Sequence, residues 1–460
     1  MPELITILRE AIGPDSVLDA NEAQKRPASR WISTNSLKCK ALVMPRNTAE
    51  VSAVLQICNE MGQTVVPHGG ITGVSGGERS NEDDVVISLE KMNRIEKLDK
   101  VNKLAMVEAG VILHDLQQAA RNENLLFPLD LGAKGSCMIG GNIATNAGGL
   151  QALRYGVTRQ LVLGLEAVLA DGTIISSMNK MLKNNAGYDL KQLFIGTEGT
   201  LGIVTRAVLK LDDAPSTRNT ALVALENFEK AIEFLHLAKK SLGGTLTTFE
   251  ILWYDYYDFM TSPVAGFKAP LPKDFPFYVL IEALGQDELR DAENFTQTLE
   301  SALESGLIAD GVIADSEKEL SNLWGIREKV ELFFKFHEAV FMFDISLPIS
   351  EMDSYVSGLR IALENEFGQV VFHSFGHMAD GNLHLHISCG KKDKATRHRV
   401  EEIVFTPLQR FGGSITAEHG VGLEKKEWLH LSRTLEEIML MKTLKKALDP
   451  KGILNRGKIF

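Results

Sequence analysis

Three glycine-rich segments constrain this chain more than any other feature of its sequence. Five glycines fall within 69–77, seven more lie between 132 and 156, and GTEGTLGIVT occupies 196–205. Glycine at such density indicates backbone that approaches another group closely or adopts positive φ. The first segment follows an apolar run, so its successive N–H groups can bind an anion. A large planar cofactor lying across this backbone is one interpretation, and ordinary loops between strands are the other.

The spacing of these glycines disfavours two common nucleotide sites. The first segment, VVPHGGITGVSGG, lacks the GxxxxGK[ST] pattern of a P-loop. It also lacks a GxGxxG that opens a helix and is followed about 20 residues later by an acid, as in Rossmann NAD sites.

Hydrophobic periodicity predicts a mixture of helices and strands. A helix is expected from Thr48, the predicted N-cap, to Met61 between two short strands, and Asp171-Gly172 predicts a hairpin. At about 150 residues per domain, 460 residues suggest two or three domains. Further predicted strands are DVVISL, AMVEAGV, GLEAVLADGTII, IVTRAVLKL, FYVLIEAL, FMFDISLP and LHLHIS, and further predicted helices cover 226–241, 285–306, 351–367 and the segment that ends at Pro450.

Charge and cysteine content narrow the cellular context. Asp and Glu outnumber Lys and Arg by 60 to 49, so binding to nucleic acid without sequence preference lacks an electrostatic basis. The sequence contains no run of about 18 apolar residues, so a transmembrane helix is not expected. The amphipathic start, MPELITILREAIG, is unlike a signal peptide and predicts a helix packed on the protein. Four separated cysteines without a CxxC pair favour a reducing compartment: the cytoplasm, or the mitochondrial matrix for a mature eukaryotic chain.

Histidines cluster near the C-terminal end of the chain. Four of the 11 histidines lie within 14 residues. Strand alternation places His384 and His386 on one face, and a turn lets His377 meet His384. Glu418, in a later glycine-rich loop, adds a carboxylate. Imidazole and carboxylate ligands suit Zn²⁺, Mn²⁺ or Fe²⁺, so the cluster predicts a divalent metal site; histidines satisfied in a core or at the surface are the alternative.

Five motifs carry a resemblance to a known family. GGNIATNAGGLQALRYG, NNAGYDLKQLFIGTEGTLGIVT, FGHMADGNLHLHI, GSITAEHGVG and DPKGILN occur in that family's order. Over nearly its whole length the chain resembles the PCMH-type FAD-binding flavoenzymes, also called vanillyl-alcohol-oxidase-like. Within them it is similar to the branch of D-lactate dehydrogenase, D-2-hydroxyglutarate dehydrogenase and the glycolate oxidase flavin subunit.

The resemblance implies an α+β fold: a PCMH-type FAD-binding domain, an α+β cap domain and a C-terminal segment that returns to the flavin. The implied divisions are an N-terminal helical segment 1–35, the FAD-binding domain 36–215, the cap or substrate domain 216–410 and the C-terminal segment 411–460.

The resemblance also implies a set of FAD contacts. The loop from Pro67 to Gly73 would hold the pyrophosphate through backbone N–H groups. A covalent link from flavin to His68 stays open, although the dehydrogenase branch usually has another residue there. The implied contacts are Pro67, His68, Gly69, Gly70, Ile71, Thr72, Gly73, Leu129, Ser136, Gly141, Asn142, Thr145, Gly149, Glu198, Gly199, Ile203 and Asn455.

Metal and catalytic roles are implied in the same way. His377, His384 and Glu418 match the family's metal ligands, with Zn²⁺ expected first and Mn²⁺ or Fe²⁺ as alternatives. His419 matches the active-site base. Arg327, in GIREKV, matches the arginine that binds the substrate carboxylate.

Positions near Arg327 bear on the choice of substrate. D-2-hydroxyglutarate dehydrogenases carry a threonine four residues after this arginine and a lysine fifteen residues after it, where this chain has Glu331 and Met342. Loss of the lysine favours D-lactate or another D-2-hydroxy monocarboxylate with an apolar tail. The alternative reading of Glu331 is an i, i+4 helix pair with Arg327. His386 departs from the asparagine common in relatives and is a substrate contact, a fourth ligand or neither.

These residues predict an FAD-dependent, metal-assisted dehydrogenase that oxidises a D-2-hydroxy acid to the 2-oxo acid. Its partners would be the small substrate and an electron acceptor, namely an electron-transfer flavoprotein, a quinone or a cytochrome; a homodimer is left open. D-2-hydroxyglutarate dehydrogenase and the glycolate oxidase flavin subunit remain alternatives. A flavin-free zinc hydrolase is an alternative from another class, but it leaves two glycine segments unexplained.

Overall fold

A computed structural model describes residues 3–30 and 35–460 of the chain. These residues form two compact units. The first unit combines Met1–Gly149, Gly156–Ala214 and Glu418–Phe460, and the second combines Leu150–Tyr155 and Pro215–Ala417. The chain therefore passes from one unit to the other four times.

The predicted mixture of helices and strands is confirmed. The helices are α1 (Leu4–Ile12), α2 (Ala20–Ala23), α3 (Thr48–Met61), α4 (Leu113–Arg121), α5 (Ile139–Thr145), α6 (Ala152–Tyr155), α7 (Thr158–Leu161), α8 (Phe228–Leu242), α9 (Tyr254–Met260), α10 (Glu288–Glu304), α11 (Glu317–Glu328), α12 (Glu331–Phe336), α13 (Met352–Phe367), α14 (Lys394–Phe405), α15 (Leu408–Phe411) and α16 (Leu435–Leu448). The strands are β1 (Val17–Asp19), β2 (Ala41–Val43), β3 (Val65–His68), β4 (Val85–Ser88), β5 (Ile95–Asp99), β6 (Leu104–Glu108), β7 (Leu125–Leu126), β8 (Val162–Val168), β9 (Ile174–Ser177), β10 (Ile203–Lys210), β11 (Asp212–Asp213), β12 (Thr217–Leu225), β13 (Leu246–Trp253), β14 (Phe277–Gly285), β15 (Asp310–Ile313), β16 (Val340–Ser346), β17 (Val371–His377) and β18 (Asn382–Ser388).

The first unit contains two main sheets. One has the strand order β1-β2-β4-β3, in which β2, β4 and β3 run parallel and β1 is antiparallel. The other, β5-β6-β10-β8-β9, is antiparallel throughout. The hairpin predicted at Asp171-Gly172 is confirmed, since it joins β8 to its antiparallel partner β9. The predicted packing of the N-terminal helix is also confirmed, because α1 buries Leu4, Leu8 and Ile12 and contacts α3.

The start of α3 corrects one local prediction. Asn47, not Thr48, caps the helix, because the Asn47 side-chain oxygen accepts a hydrogen bond from the N–H of Glu50 at 2.9 Å. The Thr48 hydroxyl instead donates to the carboxylate of Glu166 at 2.7 Å. The helix ends as predicted at Gly62, which adopts φ 65°.

The C-terminal end of the chain extends the first sheet. Val65, at the start of β3, donates its N–H to the carbonyl of Ile453 at 2.8 Å. Asn455 donates its N–H back to the carbonyl of Val65 at 2.9 Å, and Leu454 forms a parallel bridge with Val65. The strand that leads into the first glycine segment therefore has the last residues of the chain as its neighbour.

The second unit is built on one seven-stranded antiparallel sheet, β15-β12-β14-β13-β17-β18-β16. One face packs against α8, whose Phe234 contacts Phe249 of β13 at 5.5 Å between ring centroids. The other face packs against α9, α11 and α12 in a cluster that includes Tyr256, Trp324 and Phe333. This second face carries the histidines and therefore positions the candidate site.

Among the described helices, none is both long enough and apolar enough to cross a lipid bilayer.

Candidate active site

In the first unit, the first two glycine segments pack backbone to backbone. A Cβ at Gly70 would lie 2.1 Å from the carbonyl oxygen of Ser136, so only glycine fits there. A Cβ at Gly69 would contact the Cα of Gly141 at 3.4 Å. Ile71, next in the loop, adopts φ 50°. The loop after β3 is thus held against the start of α5 by contacts that a side chain would break.

Beside this contact the backbone faces open space. A Cβ at Gly141 would have no described heavy atom within 4 Å, and the same holds at Gly132 and Gly135. The Asn142 side chain is buried. Among the described residues, its amide nitrogen has no hydrogen-bond acceptor except the sulfur of Cys137, which accepts only weakly. An unpaired buried donor next to bare backbone fits a bound polar cofactor such as the predicted FAD.

The third glycine segment joins the same region through Glu198. This residue is buried with φ 51°, and its carboxylate accepts hydrogen bonds from the N–H groups of Val421 at 2.7 Å and Gly422 at 2.9 Å. Burial raises the pKa of Glu198 despite these two donors. Asn455 donates its side-chain amide to the Glu198 carbonyl at 2.6 Å. Glu198 therefore links the third segment to the C-terminal segment.

The remaining predicted FAD contacts differ in their surroundings. Leu129 and Ile203 are buried in the hydrophobic core. His68 is buried and neutral, because burial lowers its pKa to about 4, and its Nε2–H donates to the carbonyl of Glu78 at 2.7 Å. The Thr145 hydroxyl donates to the carbonyl of Gly141 at 3.1 Å.

In the second unit, strand register aligns the other predicted residues in rows. Directly opposed residues of an antiparallel sheet share a face. The first row contains Glu250 of β13 and His377 of β17. The second row contains Leu252, Phe375, His384 and Asp344. The third row contains His373, His386 and Met342.

Glu250 joins two predicted site residues in the first row. Its Oε1 accepts from His377 Nδ1 at 2.5 Å and its Oε2 accepts from Arg327 Nε at 2.5 Å. All three side chains are buried. Burial alone would raise the pKa of Glu250, but the charge of Arg327 and the hydrogen bonds from His377 and Arg327 outweigh it and lower that pKa to about 2. The carboxylate is therefore ionised.

This hydrogen bond sets the tautomer of His377. Because Nδ1 carries the proton given to Glu250, the neutral ring keeps a lone pair on Nε2. The predicted meeting of the two histidines is confirmed, since His384 Nε2 lies 3.3 Å from His377 Nε2. On its other side, His384 Nδ1 lies 3.8 Å from the buried carboxylate of Asp344. Two converging ring nitrogens, each ring backed by a carboxylate, belong to a group of side chains that could hold a metal ion.

Sequence reasoning missed Glu250 and Asp344. Each is the single charged residue within a largely buried strand segment, TLTTFEILW for Glu250 and VFMFDISLP for Asp344. An unpaired carboxylate is costly in such a place, so an acid there signals a buried cationic or hydrogen-bonding partner. Asp344 accepts from the side chain of Asn382 at 2.8 Å and from the N–H of Ala417 at 3.2 Å.

The alternative reading of Glu331, as the i, i+4 helix partner of Arg327, is wrong. Arg327 lies near the end of α11, whereas Glu331 begins the separate helix α12, so the two are not one turn apart on a single helix. Glu331 is exposed and lies 3.5 Å from Lys329. The Arg327 guanidinium lies over the ring of Phe375 at 4.8 Å. Met342, in contrast, lies on the site face of the sheet.

The third row carries imidazoles and a thioether. His373 donates its Nδ1–H to the carbonyl of Asp255 at 3.1 Å, and burial lowers its pKa to about 3, so it is neutral. Phe333 packs against both His373 and His386, at 4.6 and 4.8 Å between ring centroids.

Two predicted residues belong to the first unit. Glu418 is half-buried, and a Cβ at Gly148 would lie 2.7 Å from its carboxylate. Glu418 therefore lies at the end of the second glycine segment. His419, which follows it, is also half-buried.

Comparisons with known proteins assign two family domains to the chain. Residues 39–177 match the family described as FAD binding domain. Residues 214–459 match the family described as FAD linked oxidases, C-terminal domain.

Two relatives match the chain over nearly its whole length. The mitochondrial D-2-hydroxyglutarate dehydrogenase of Arabidopsis thaliana is 38% identical over 456 residues, covering 99% of this chain and 81% of that protein. The D-2-hydroxyglutarate dehydrogenase of Stutzerimonas stutzeri is 35% identical over 469 residues, covering 100% and 99%.

Solved structures share the fold. p-Cresol methylhydroxylase aligns with a TM-score of 0.79 at 17% identity, covering 99% of this chain and 96% of that one. Alkyldihydroxyacetonephosphate synthase aligns with a TM-score of 0.77 at 17% identity, covering 100% and 86%.

Proposed function

Because the chain belongs to the FAD-linked oxidases and is similar in sequence to D-2-hydroxyglutarate dehydrogenases over nearly its whole length, we propose that it oxidises a D-2-hydroxy acid to the 2-oxo acid with FAD. One observation carries the proposal: buried Glu250 ties the predicted substrate arginine, Arg327, to the predicted metal ligand, His377. This bridge supports the proposal, because it joins the proposed carboxylate-binding cation to the proposed metal-binding ring on one face of the sheet.

FAD would be held by residues of the three glycine segments and by Asn455, in the first unit of the predicted PCMH-type fold. The bare backbone at Gly141 and the donor of Asn142 support this placement. FAD supplies an acceptor for the hydride that leaves the substrate Cα.

A divalent cation would be held by the Nε2 atoms of His377 and His384, with Glu418 as the third ligand. Glu250 and Asp344 support it, because they orient the two rings and balance the added charge. Such a cation supplies positive charge that lowers the pKa of a neighbouring hydroxyl. Zn²⁺ suits the two imidazoles and one carboxylate, and Mn²⁺ and Fe²⁺ are the alternatives.

The remaining chemistry falls to two side chains. Arg327 binds the substrate carboxylate with guanidinium N–H groups and so fixes the orientation of Cα. His419 takes the proton from the substrate hydroxyl oxygen as the C–O bond becomes a carbonyl. The proton thus goes to the imidazole, and the electron pair of the Cα–H bond leaves as the hydride.

For the substrate we propose a monocarboxylate, D-lactate or a D-2-hydroxy acid with an apolar tail. Support comes from the third row, where Met342, neutral His373 and His386 lie side by side. The row offers no lysine for a second carboxylate. D-2-hydroxyglutarate is the second candidate, favoured by the names of the relatives.

The proposal is tested by anaerobic reduction of the bound flavin. D-Lactate and longer apolar D-2-hydroxy acids should bleach the flavin absorption, whereas their L-forms should not. Bleaching mainly by D-2-hydroxyglutarate would transfer the assignment to the second candidate. A purified protein that holds no flavin after reconstitution would overturn the whole proposal.

Met342→Lys is expected to raise kcat/KM for D-2-hydroxyglutarate by about 10- to 100-fold, because a new ammonium–carboxylate hydrogen bond contributes about 1.5–3 kcal/mol. Met342→Gln has a similar length without the charge and serves as the matched control. Equal gains in both variants would show that the charge at this position does not select the substrate.

Gly141→Ala is expected to leave the stability of the apoprotein unchanged within about 1 kcal/mol, because the added methyl meets open space and Ala favours the helix. The same methyl should weaken FAD binding, as measured by flavin fluorescence. Gly70→Ala is the contrasting variant: its methyl overlaps the Ser136 carbonyl, so it should lower the free energy of unfolding by at least about 1–3 kcal/mol. Unchanged FAD affinity in Gly141→Ala would contradict the placement.

We also propose an assembly state, a location and an electron acceptor. A homodimer is supported by α16, which exposes Leu435, Met439 and Leu440; a monomer in sedimentation equilibrium would exclude it.

A mitochondrial-matrix or cytoplasmic location is supported by the mitochondrial relatives and tested by cell fractionation. The electrons would pass to an electron-transfer flavoprotein, a quinone or a cytochrome, which reoxidation assays with each would distinguish.

A further inference from the structure

A buried lysine near the C-terminus binds the end of the first glycine segment and the residues just after it. The Lys458 side chain belongs to the first unit, and Lys458 is 4% exposed. Its ammonium donates to the carbonyls of Gly77 at 2.6 Å and Arg79 at 2.7 Å, and to the side-chain oxygen of Asn455 at 2.9 Å. An ammonium has three N–H donors, and this geometry uses all of them.

Two neighbouring backbone carbonyls, of Ser75 and Glu78, also accept hydrogen bonds from N–H groups. His68 donates to the carbonyl of Glu78 at 2.7 Å. The carbonyl of Ser75 accepts from the N–H groups of Leu423 at 2.9 Å and Glu424 at 3.1 Å. The carbonyls of residues 75, 77, 78 and 79 are thus all bound inside the protein.

When the carbonyls of a loop point into the protein, its N–H groups can line the opposite surface of the loop. Successive N–H groups arranged in this way form a concavity that binds an anion. The anion here is the diphosphate of FAD, whose binding the first glycine segment is proposed to provide. Without the ammonium, the carbonyls of Gly77 and Arg79 would lose their shared donor and could rotate toward the diphosphate, where they would repel it.

We propose that Lys458 is a positioning residue for FAD: it holds the carbonyls of Gly77 and Arg79 inward so that the glycine loop keeps the form that binds the diphosphate. The proposal rests on FAD binding at this loop. Asn455 extends the device, since its amide donates to the carbonyl of Glu198 at 2.6 Å and its oxygen accepts from Lys458.

The test compares FAD affinity in apoprotein variants by flavin fluorescence. Lys458→Met keeps the length of the side chain and removes the charge and the donors; we expect its Kd for FAD to rise about 10- to 100-fold. Lys458→Arg keeps the charge and should recover part of the affinity. A Kd for Lys458→Met within about twofold of the wild-type value overturns the proposal.

Lys445→Met is the matched control. Lys445 is also largely buried; it pairs with Asp449 and donates to the backbone carbonyls of Thr200, in the third glycine segment, at 2.8 Å and Leu454 at 2.6 Å, but not to the first glycine segment. We expect its loss to lower thermal stability with a smaller change in FAD affinity. An equal rise in Kd in both variants would show general loosening of the C-terminal segment and overturn the specific role.

A pH titration of the wild-type protein decides the matter if Lys458→Met does not fold. Burial lowers the pKa of Lys458 to about 8, against the opposing effects of Asp84, Glu78 and Glu198, while Arg79 lowers it further. If the charged form supports FAD binding, the Kd should be constant up to about pH 7.5 and rise above pH 8. A constant Kd up to pH 9.5 overturns the proposal. Wild-type protein that binds no FAD at any pH would instead refute FAD binding itself.

Discussion

His384→Ala is expected to lower kcat/KM for the D-2-hydroxy acid by on the order of 10³-fold and to abolish stoichiometric binding of a divalent metal. The ring supplies one of two converging Nε2 atoms, 3.3 Å apart, and a single remaining histidine does not retain the ion. Stabilising a developing alkoxide is worth several kcal/mol, and each ~1.36 kcal/mol is tenfold in rate. Metal content by elemental analysis and steady-state kinetics measure the two effects.

His386→Ala is the control for that prediction. His386 lies on the same strand two residues away, with its side chain against Phe333 rather than toward His377. Its loss should change KM and leave the metal content at the wild-type level. Full metal content in His384→Ala would contradict the assignment of the ligand pair.

Glu250→Ala is expected to lower the free energy of unfolding by about 3–5 kcal/mol, because it removes the buried carboxylate that forms an ion pair with Arg327. It should also weaken the proposed metal binding about 10- to 100-fold, since His377 loses the carboxylate that orients its ring. Denaturant unfolding of the apoprotein measures the first effect, and metal titration measures the second.

Two further variants separate these effects. Glu331→Ala removes an exposed acid beside Lys329 and should cost at most about 1 kcal/mol. The double variant Glu250→Leu with Arg327→Met replaces the ion pair by apolar groups and should recover most of the stability but not the activity. If Glu250→Ala alone unfolds at the wild-type denaturant concentration, the ion pair does not stabilise the unit.

The sequence predicted much of the fold because its signals are local. Alternation marked β18, helical spacing marked α3 and α16, and Asp171-Gly172 marked the hairpin between β8 and β9. The encounter of His377 with His384 needed only one turn between adjacent strands, so it too was visible.

Features that depend on distant pairing were not visible. Glu250 meets His377 because β13 and β17, more than a hundred residues apart, are neighbours in the sheet. The assumption of one continuous helix produced the wrong pairing of Arg327 with Glu331, since nothing in GIREKVELFF marks the break between α11 and α12. The prediction of Thr48 as the cap was wrong because the Thr48 hydroxyl donates to the carboxylate of Glu166 on β8, a strand far along the chain.

The bond between β3 and the last residues of the chain has a consequence for biosynthesis. Residues 453–455 supply the hydrogen-bonding neighbour of Val65, and Lys458 binds the loop that follows β3. Because translation proceeds from the N-terminus, the parallel sheet and its glycine loop keep one edge unpaired until residues 453–455 have been made. Flavin loading therefore requires residues 453–458 to have been made, and a nascent chain stalled before residue 453 should carry no flavin.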